Sequence, residues 1–129
     1  MNFTQVKETC LYVHSLVKIR DFYHDKLGMP LISYKEGRHV FFRVGSSVLL
    51  CFIAKVTREE ERLPPHFATG NQHVAFELPK REYETAMAKL EEKGIKIIHE
   101  ERWPNGRHSF YFLDPEDNVL EIVEPGMWD

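Results

Sequence analysis

The chain has 129 residues, of which 43% are apolar and 29% are charged, values typical of a globular domain with one core. Its net charge of -3 gives no electrostatic basis for binding nucleic acid or an anionic membrane, and no apolar run is long enough to span a bilayer. The opening residues MNFTQVKETC lack the features of a signal peptide. We therefore expect a cytoplasmic protein in which Cys10 and Cys51 are reduced thiols.

The first half of the chain predicts a strand, a helix and three further strands. Alternation along the first strand places Glu8, Cys10 and Tyr12 on one face, so a carboxylate and a thiol share that face. Apolar residues then recur at helical spacing up to a glycine stop. The predicted elements are a strand over 8–13, a helix from Ser15 to Gly28, and strands over 31–34, 38–44 and 47–53.

The second half predicts the same order of elements after an irregular, charged and proline-bearing connection over residues 55–70. In its first strand, His73, Ala75 and Glu77 share one face. Residues 114–118, DPEDN, have the composition of a tight turn. The predicted elements are a strand over 72–78, a helix over 80–93 with Tyr83, Met87 and Leu90 inward, and strands over 96–101, 109–113 and 119–123.

Sequence similarity between the halves indicates an internal duplication. The segment 37–42, GRHVFF, matches 106–111, GRHSFY, and 48–50 matches 119–121. The similarity gives module one as 1–54, the connection as 55–70 and module two as 71–129, within one domain. We therefore predict an α+β fold of two βαβββ modules that form a cup-shaped mixed sheet.

The duplication pairs Glu8 with His73 and Leu50 with Glu121. Glu121 lies in mid-strand among apolar residues, and a buried carboxylate needs a partner, of which a cation is the simplest. If the modules pack with pseudo-twofold symmetry, these four positions converge. One imidazole and two carboxylates then suit Zn, Ni, Mn, Co or Fe in the divalent state, with open positions because leucine cannot coordinate. A buried ion pair of His73 and Glu121 is the alternative.

The chain resembles the vicinal oxygen chelate superfamily, which includes glyoxalase I, fosfomycin-resistance proteins, bleomycin-resistance proteins and type I extradiol dioxygenases. The resemblance lies in LYVHSLVKIRDFYHDKLGM, NQHVAFELP and SFYFLDPEDNVLEIVEPG. It implies metal ligands at Glu8, His73 and Glu121. The family's first ligand is commonly His, so Glu8 is atypical, and Leu50 stands where glyoxalase I has a fourth ligand.

The resemblance and strand parity together nominate further site residues. Tyr111 stands where the fosfomycin group has an active-site tyrosine, and it is our candidate catalytic residue together with Glu8. Parity places Arg107 and Ser109 on the same face as Tyr111, and the sequence match transfers that face to module one. The candidate substrate-binding residues are Cys10, Tyr12, Arg38, Phe42, Leu50, Arg107 and Ser109.

Three functions stay open. The first is a metal-dependent lyase, isomerase or transferase that acts on a small oxygenated substrate. The second is an iron-dependent extradiol dioxygenase, although that branch usually pairs two His with one Glu. The third is a non-enzymatic protein that binds a drug-like ligand, as bleomycin-resistance proteins do. In each case the resemblance implies a homodimer with sites shared between subunits.

Overall fold

The computed structural model describes residues 1–129, and the chain divides into two compact units, residues 1–70 and 71–129. The first unit contains β1 (Glu8–Val13), α1 (Leu16–Arg20), a π-helical turn (Asp21–Lys26), β2 (Leu31–Lys35), β3 (His39–Val44), β4 (Ser47–Ile53) and α2 (Ala54–Thr57). The second contains β5 (His73–Glu77), α3 (Lys80–Glu92), β6 (His99–Arg102), β7 (His108–Leu113) and β8 (Val119–Val123).

Each unit has a four-stranded mixed sheet, in the order β1-β4-β3-β2 in the first and β5-β8-β7-β6 in the second. The first and last strands of each unit pair in parallel, and the remaining pairs are antiparallel. A parallel pair requires a crossover connection, which α1 with its π-helical turn supplies in the first unit and α3 in the second. The predicted pair of βαβββ modules is confirmed.

The hydrogen-bond register confirms the main equivalences of the duplication. Glu8 lies opposite Val48 in the first sheet, and His73 lies opposite Val119 in the second. Two residues further along, Leu50 and Glu121 therefore occupy equivalent positions.

The strand registers align β3 with β7 one residue away from the alignment that their sequences suggest. Phe41 lies opposite Leu50, and Tyr111 lies opposite Glu121, so the residue equivalent to Tyr111 is Phe41 and not Phe42. The turns differ in length, since β3 and β4 are joined by two residues and β7 and β8 by five. A slip of one residue moves a strand's side chains to the opposite face, so the letter match assigned the wrong face of β3.

The apolar core of the first unit lies between the helical crossover and the face of the sheet that carries Phe42. Tyr23 and Phe42 are both 0% exposed, and their ring centroids are 5.5 Å apart. The sequence-based assignment of Phe42 to substrate binding is therefore wrong, because its ring is enclosed in the core. In the second unit, Phe110 and Phe112 are likewise fully buried, and Phe110 contacts Tyr83 of α3.

Several element boundaries differ from the sequence-based predictions. The first helix changes to π-helical geometry at Asp21, although its predicted stop at Gly28 is present with a φ of 77°. Strand β6 begins at His99 and not at residue 96. Helix α3 buries only Ala86, while Met87 and Leu90 are half-buried, so its inward face is shallower than predicted. None of the helices is both long and apolar enough to cross a bilayer.

Candidate functional site

The turn after β7 fixes the start of β5. Asp114 Oδ1 accepts hydrogen bonds from the backbone N–H groups of Glu116 and Asn118, at 2.8 and 3.0 Å. The Asn118 amide donates to Asp114 Oδ2 at 2.8 Å, and Asn118 Oδ1 accepts from the Gln72 N–H at 3.0 Å. Because Gln72 immediately precedes β5, this buried network sets the position of His73.

His73 is held in one tautomer by the backbone of β8. Its Nδ1 lies 3.0 Å from the carbonyl oxygen of Val119. A carbonyl oxygen can only accept, so Nδ1 carries the proton and the neutral ring has its lone pair on Nε2. Nε2 lies 3.3 Å from Oε2 of Glu121. Two acceptor atoms therefore face each other, an arrangement that a bound cation or a second ring proton would stabilise.

Glu121 is the buried member of this pair. Its side chain is 8% exposed, whereas the side chain of His73 is 51% exposed. Glu121 lies on β8, which is flanked by β5 and β7, whereas the more exposed His73 lies on the edge strand β5. Solvent therefore reaches the pair from the side of His73.

Tyr111 lies directly opposite Glu121 on β7, and its ring centroid is 6.3 Å from that of His73. Burial raises the pKa of Tyr111 above its ordinary value, and interaction with the Glu121 carboxylate raises it further. The phenol therefore stays protonated at neutral pH and can act as a hydrogen-bond donor or an acid next to Glu121.

A cavity of about 670 Å³ opens over this face of the second unit. Its floor is the sheet, and its walls are the turn before β7 and the last three residues of the chain. The lining residues are His73, Ala75, Tyr111, Glu121, Val123, Trp103, Pro104, Asn105, Met127, Trp128 and Asp129.

The donor chemistry of His73 and Glu121 fits a divalent metal, with one imidazole nitrogen and one carboxylate oxygen already adjacent. Neither unit by itself contains three or more His, Cys, Asp or Glu side chains placed to hold a metal. The predicted third ligand, Glu8, is exposed at the start of β1 in the first unit. The three-ligand set therefore stays a prediction.

In the first unit, Cys10, Tyr12 and Leu50 share one face, as strand parity predicts. Burial, and secondarily the charge of Glu8, raises the pKa of the Cys10 thiol, which makes this cysteine a poor nucleophile at neutral pH. The thiol lies 3.8 Å from Nδ1 of His66. Burial likewise raises the pKa of Tyr12, with Cys10 as a further cause.

Arg38 is engaged with its own chain. Its guanidinium makes two hydrogen bonds to Glu60, at 2.7 and 2.9 Å, and lies over the ring of Phe52. This ion pair connects the end of the sheet to the segment that follows α2. The predicted role of Arg38 in substrate binding would require this pair to open.

Ser109 and Arg107 lie outside the cavity lining, although the sequence nominates both. Ser109 is 1% exposed and accepts a hydrogen bond from Nε1 of Trp103 at 2.9 Å, so it supports the cavity wall. The Arg107 guanidinium packs against Gly126, within 3.0 Å of the point where a Cβ would lie. Sequence analysis did not nominate Trp103 or Trp128, because both lie outside the predicted strands.

A histidine and aromatic cluster on the first sheet was also missed. His39 stacks on Phe41 at 4.0 Å between ring centroids, and His66 stacks on Phe52 at 3.9 Å. Burial and the charge of Arg38 lower the pKa of His39. The corrected register of β3 would have shown that His39 and Phe41 share the face of Leu50.

Comparisons with known proteins agree with this architecture. The family model of the Glyoxalase/Bleomycin resistance protein/Dioxygenase superfamily matches residues 5–122. A protein named glutathione transferase FosA from Serratia marcescens is 28% identical over 115 residues, which cover 87% of this chain and 74% of that protein.

Solved structures show the same relationship. A crystal structure of a lactoylglutathione lyase from Agrobacterium tumefaciens superposes with a TM-score of 0.92 and 32% identity over 98% of both chains. A glyoxalase/bleomycin resistance protein/dioxygenase from Nocardioides superposes with a TM-score of 0.75 and 25% identity, over 100% of this chain and 92% of that one.

Proposed function

Because the chain belongs to the glyoxalase/bleomycin resistance protein/dioxygenase superfamily, we propose that it is a divalent-metal-dependent lyase, isomerase or transferase acting on a small oxygenated substrate. The observation that carries the proposal is the geometry of His73 and Glu121. The Val119 carbonyl oxygen accepts a hydrogen bond from Nδ1–H of His73, which leaves the Nε2 lone pair free to coordinate, and Oε2 of Glu121 is 3.3 Å from Nε2. This orientation of a ligating histidine by a carbonyl is common at metal sites.

His73 and Glu121 would hold the metal together with Glu8, and Zn, Ni, Mn, Co and Fe are the candidates for this ligand set. A bound divalent metal supplies Lewis-acid stabilisation of an oxyanion or enediolate. Leu50, at the position equivalent to Glu121, has a hydrocarbon side chain and would add no further ligand.

Side chains of the protein would supply the general acid and the general base. Tyr111, protonated at neutral pH, donates a hydrogen bond or proton to substrate oxygen beside Glu121. Glu8, exposed at the start of β1, is the candidate general base. The cavity walls enclose Tyr111 and Glu121 on the second sheet.

The names of two similar proteins suggest two alternative reactions. The first is isomerisation of a glutathione hemithioacetal, suggested by the protein named lactoylglutathione lyase, which is 32% identical. The second is transfer of glutathione, suggested by the name of the Serratia marcescens relative. Leu50 argues against the first reaction, and in the second the nucleophile would be the glutathione thiol and not Cys10, whose pKa is raised. An extradiol dioxygenase is less consistent with a single histidine, and a binding-only protein would leave the site without metal.

Thermal melting with and without a chelator tests the proposal. Metal at a hundred times its Kd stabilises the folded state by about 2.7 kcal/mol, so a chelator should lower the melting temperature of the wild type. Glu121→Gln should remove this chelator effect because the amide is a weak ligand. Glu77→Gln, on an exposed carboxylate of β5 outside the cavity lining, is the matched control and should retain it.

Elemental analysis of protein purified without added metal accompanies the melting curves. Ni, Mn or Zn supports the proposed chemistry, and iron supports the dioxygenase. Unchanged melting with chelator, together with no bound metal, would exclude metal-dependent catalysis.

A further inference from the structure

The wall of the cavity in the second unit is an ordered structure built from two segments. The first is Trp103–Asn105, and the second is Met127–Asp129. The Asn105 side chain donates to the carbonyl oxygen of Met127 at 2.9 Å and so joins the segments. Met127 is 8% exposed and anchors the second segment in the core.

Two indole rings stand on this wall. Trp103 is 38% exposed, and its Nε1 is fixed by Ser109, which leaves the ring with one orientation. Trp128 is 95% exposed, although the residue before it is buried. Large exposed rings beside a concave site are stacking surfaces for a flat apolar ligand.

The charges of the cavity lining disfavour a ligand with several negative charges. Glu121 and Asp129 contribute carboxylates, His73 is the only basic residue, and neither lysine nor arginine lines the cavity. Apart from the proposed metal, no cation of the lining would offset the charge of such a ligand. A phosphonate dianion is therefore a poor match for this wall.

From these observations we propose that the substrate is a neutral or singly charged molecule with an aromatic ring beside its pair of oxygen atoms, and that Trp103 and Trp128 select the ring. The inference rests on the proposed function, since the substrate oxygens would be bound by the metal that His73 and Glu121 would hold. The wall thus determines specificity, while the floor of the cavity carries the chemistry.

A matched pair of ligands isolates the contribution of the wall. Mandelate and lactate are both α-hydroxy acids with one negative charge and the same oxygen pair, and they differ in a phenyl or a methyl group. We expect mandelate to bind wild-type protein loaded with Mn²⁺ about tenfold more tightly than lactate, as titration calorimetry would measure.

Fluorescence gives an independent readout, because the chain has two tryptophans and both line the cavity. Mandelate should quench this fluorescence and lactate should not. Trp128→Ala should reduce the preference for mandelate to about threefold or less, and Trp128→Phe should restore most of it. Phe3→Ala removes an aromatic ring that is 87% exposed in the N-terminal segment and should leave the preference unchanged.

The outcomes separate the two proposals. Equal affinity for mandelate and lactate in Mn²⁺-loaded wild type overturns the inference and leaves the proposed function intact. Failure of Mn²⁺ to bind in the same calorimeter counts against the proposed function. In that case the affinities of mandelate and lactate are compared on metal-free protein. Equal affinities there would again overturn the inference that the tryptophans select an aromatic ring.

Discussion

Tyr83 links the stability of the second unit to pH through one partly buried phenol. Burial, followed by the carboxylates of Glu124, Glu100 and Glu121, raises its pKa to about 12. The unfolded chain releases this proton at about pH 10. The contribution of Tyr83 is therefore fully present below pH 10 and is lost as pH rises toward 12, because the unfolded state loses its proton first.

We expect the free energy of unfolding, measured by urea titration, to fall between pH 10 and pH 11.5. In Tyr83→Phe the fall should be shallower, since Phe keeps the contact with Phe110 and has no proton to lose. Tyr12 and Tyr111 also have raised pKa values and will contribute a residual slope. Equal slopes in the two proteins would show that Tyr83 is not the group responsible.

Leu50 leads to a prediction about the reaction. Its side chain is 8% exposed and stands at the position equivalent to Glu121, where a hydrocarbon cannot coordinate. We expect isomerisation of the methylglyoxal–glutathione hemithioacetal to be absent or very weak in protein whose metal content has been verified. Rapid turnover in that assay would refute the inference from Leu50 and favour the reaction named for the Agrobacterium tumefaciens protein.

At the scale of elements, the turn between β7 and β8 connects stability with the site. Asn118 is 2% exposed, donates to Asp114 and accepts from Gln72. Asn118→Ala leaves both partners short of a hydrogen bond and should lower the free energy of unfolding by about 1–3 kcal/mol. It should also weaken metal binding because the start of β5, and with it His73, loses its attachment.

Urea unfolding and metal titration of the same variant measure these two effects. Asp117→Gly is the control in the same turn, since Asp117 has a φ of 65° that glycine adopts without strain. It should unfold at the same urea concentration as the wild type or a slightly higher one, with unchanged metal affinity. If Asn118→Ala binds metal as the wild type does, the turn does not position His73.

The spacing of apolar and turn-forming residues predicted most helices and strands correctly. Strands β1, β4 and β8 begin and end at the predicted residues, β1 through its alternation and β4 and β8 as short apolar runs. The edge strand β6 did not follow its pattern, because Lys96 and Ile97 have the composition of a strand but no partner in the ladder. The sequence match between the two halves misplaced β3 by one residue. Identical residue types do not determine the strand register, because turns of different length can shift it.

The site was predictable where it depends on strand parity. His73, Tyr111 and Glu121 meet because each points to one face of the second sheet. The indoles were not predictable in this way, since Trp103 and Trp128 lie in irregular segments that have no period. The ion pair of Arg38 with Glu60 joins residues 22 positions apart across a connection, which no local pattern reports.

At the scale of the whole molecule, we propose a homodimer in which each metal site takes Glu8 from one subunit and His73 and Glu121 from the other. Both β1 and β5 are edge strands, so each sheet offers a free edge, and an open edge invites pairing. A twofold axis would satisfy both edges with one self-complementary interface and would create two equivalent sites.

Complementation between inactive subunits tests this arrangement. Glu8→Ala and His73→Ala subunits should each bind metal poorly, and a mixture allowed to exchange should form heterodimers that recover one intact site of two. The measurement is bound metal per dimer before and after mixing. No recovery, with a monomeric mass of the wild type in solution, would show that one chain supplies the whole site.

The two halves of the duplication use the same sheet face in opposite ways. In the first, the chain folds back on itself, so that His66 stacks on Phe52 and Glu60 holds Arg38, and Phe52 is left 2% exposed. In the second, the corresponding face borders open volume. One copy therefore covers part of this face with its own side chains, whereas in the other copy the face lines a cavity. The two halves of the duplication have in this way become structurally unequal, although each keeps the same order of strands.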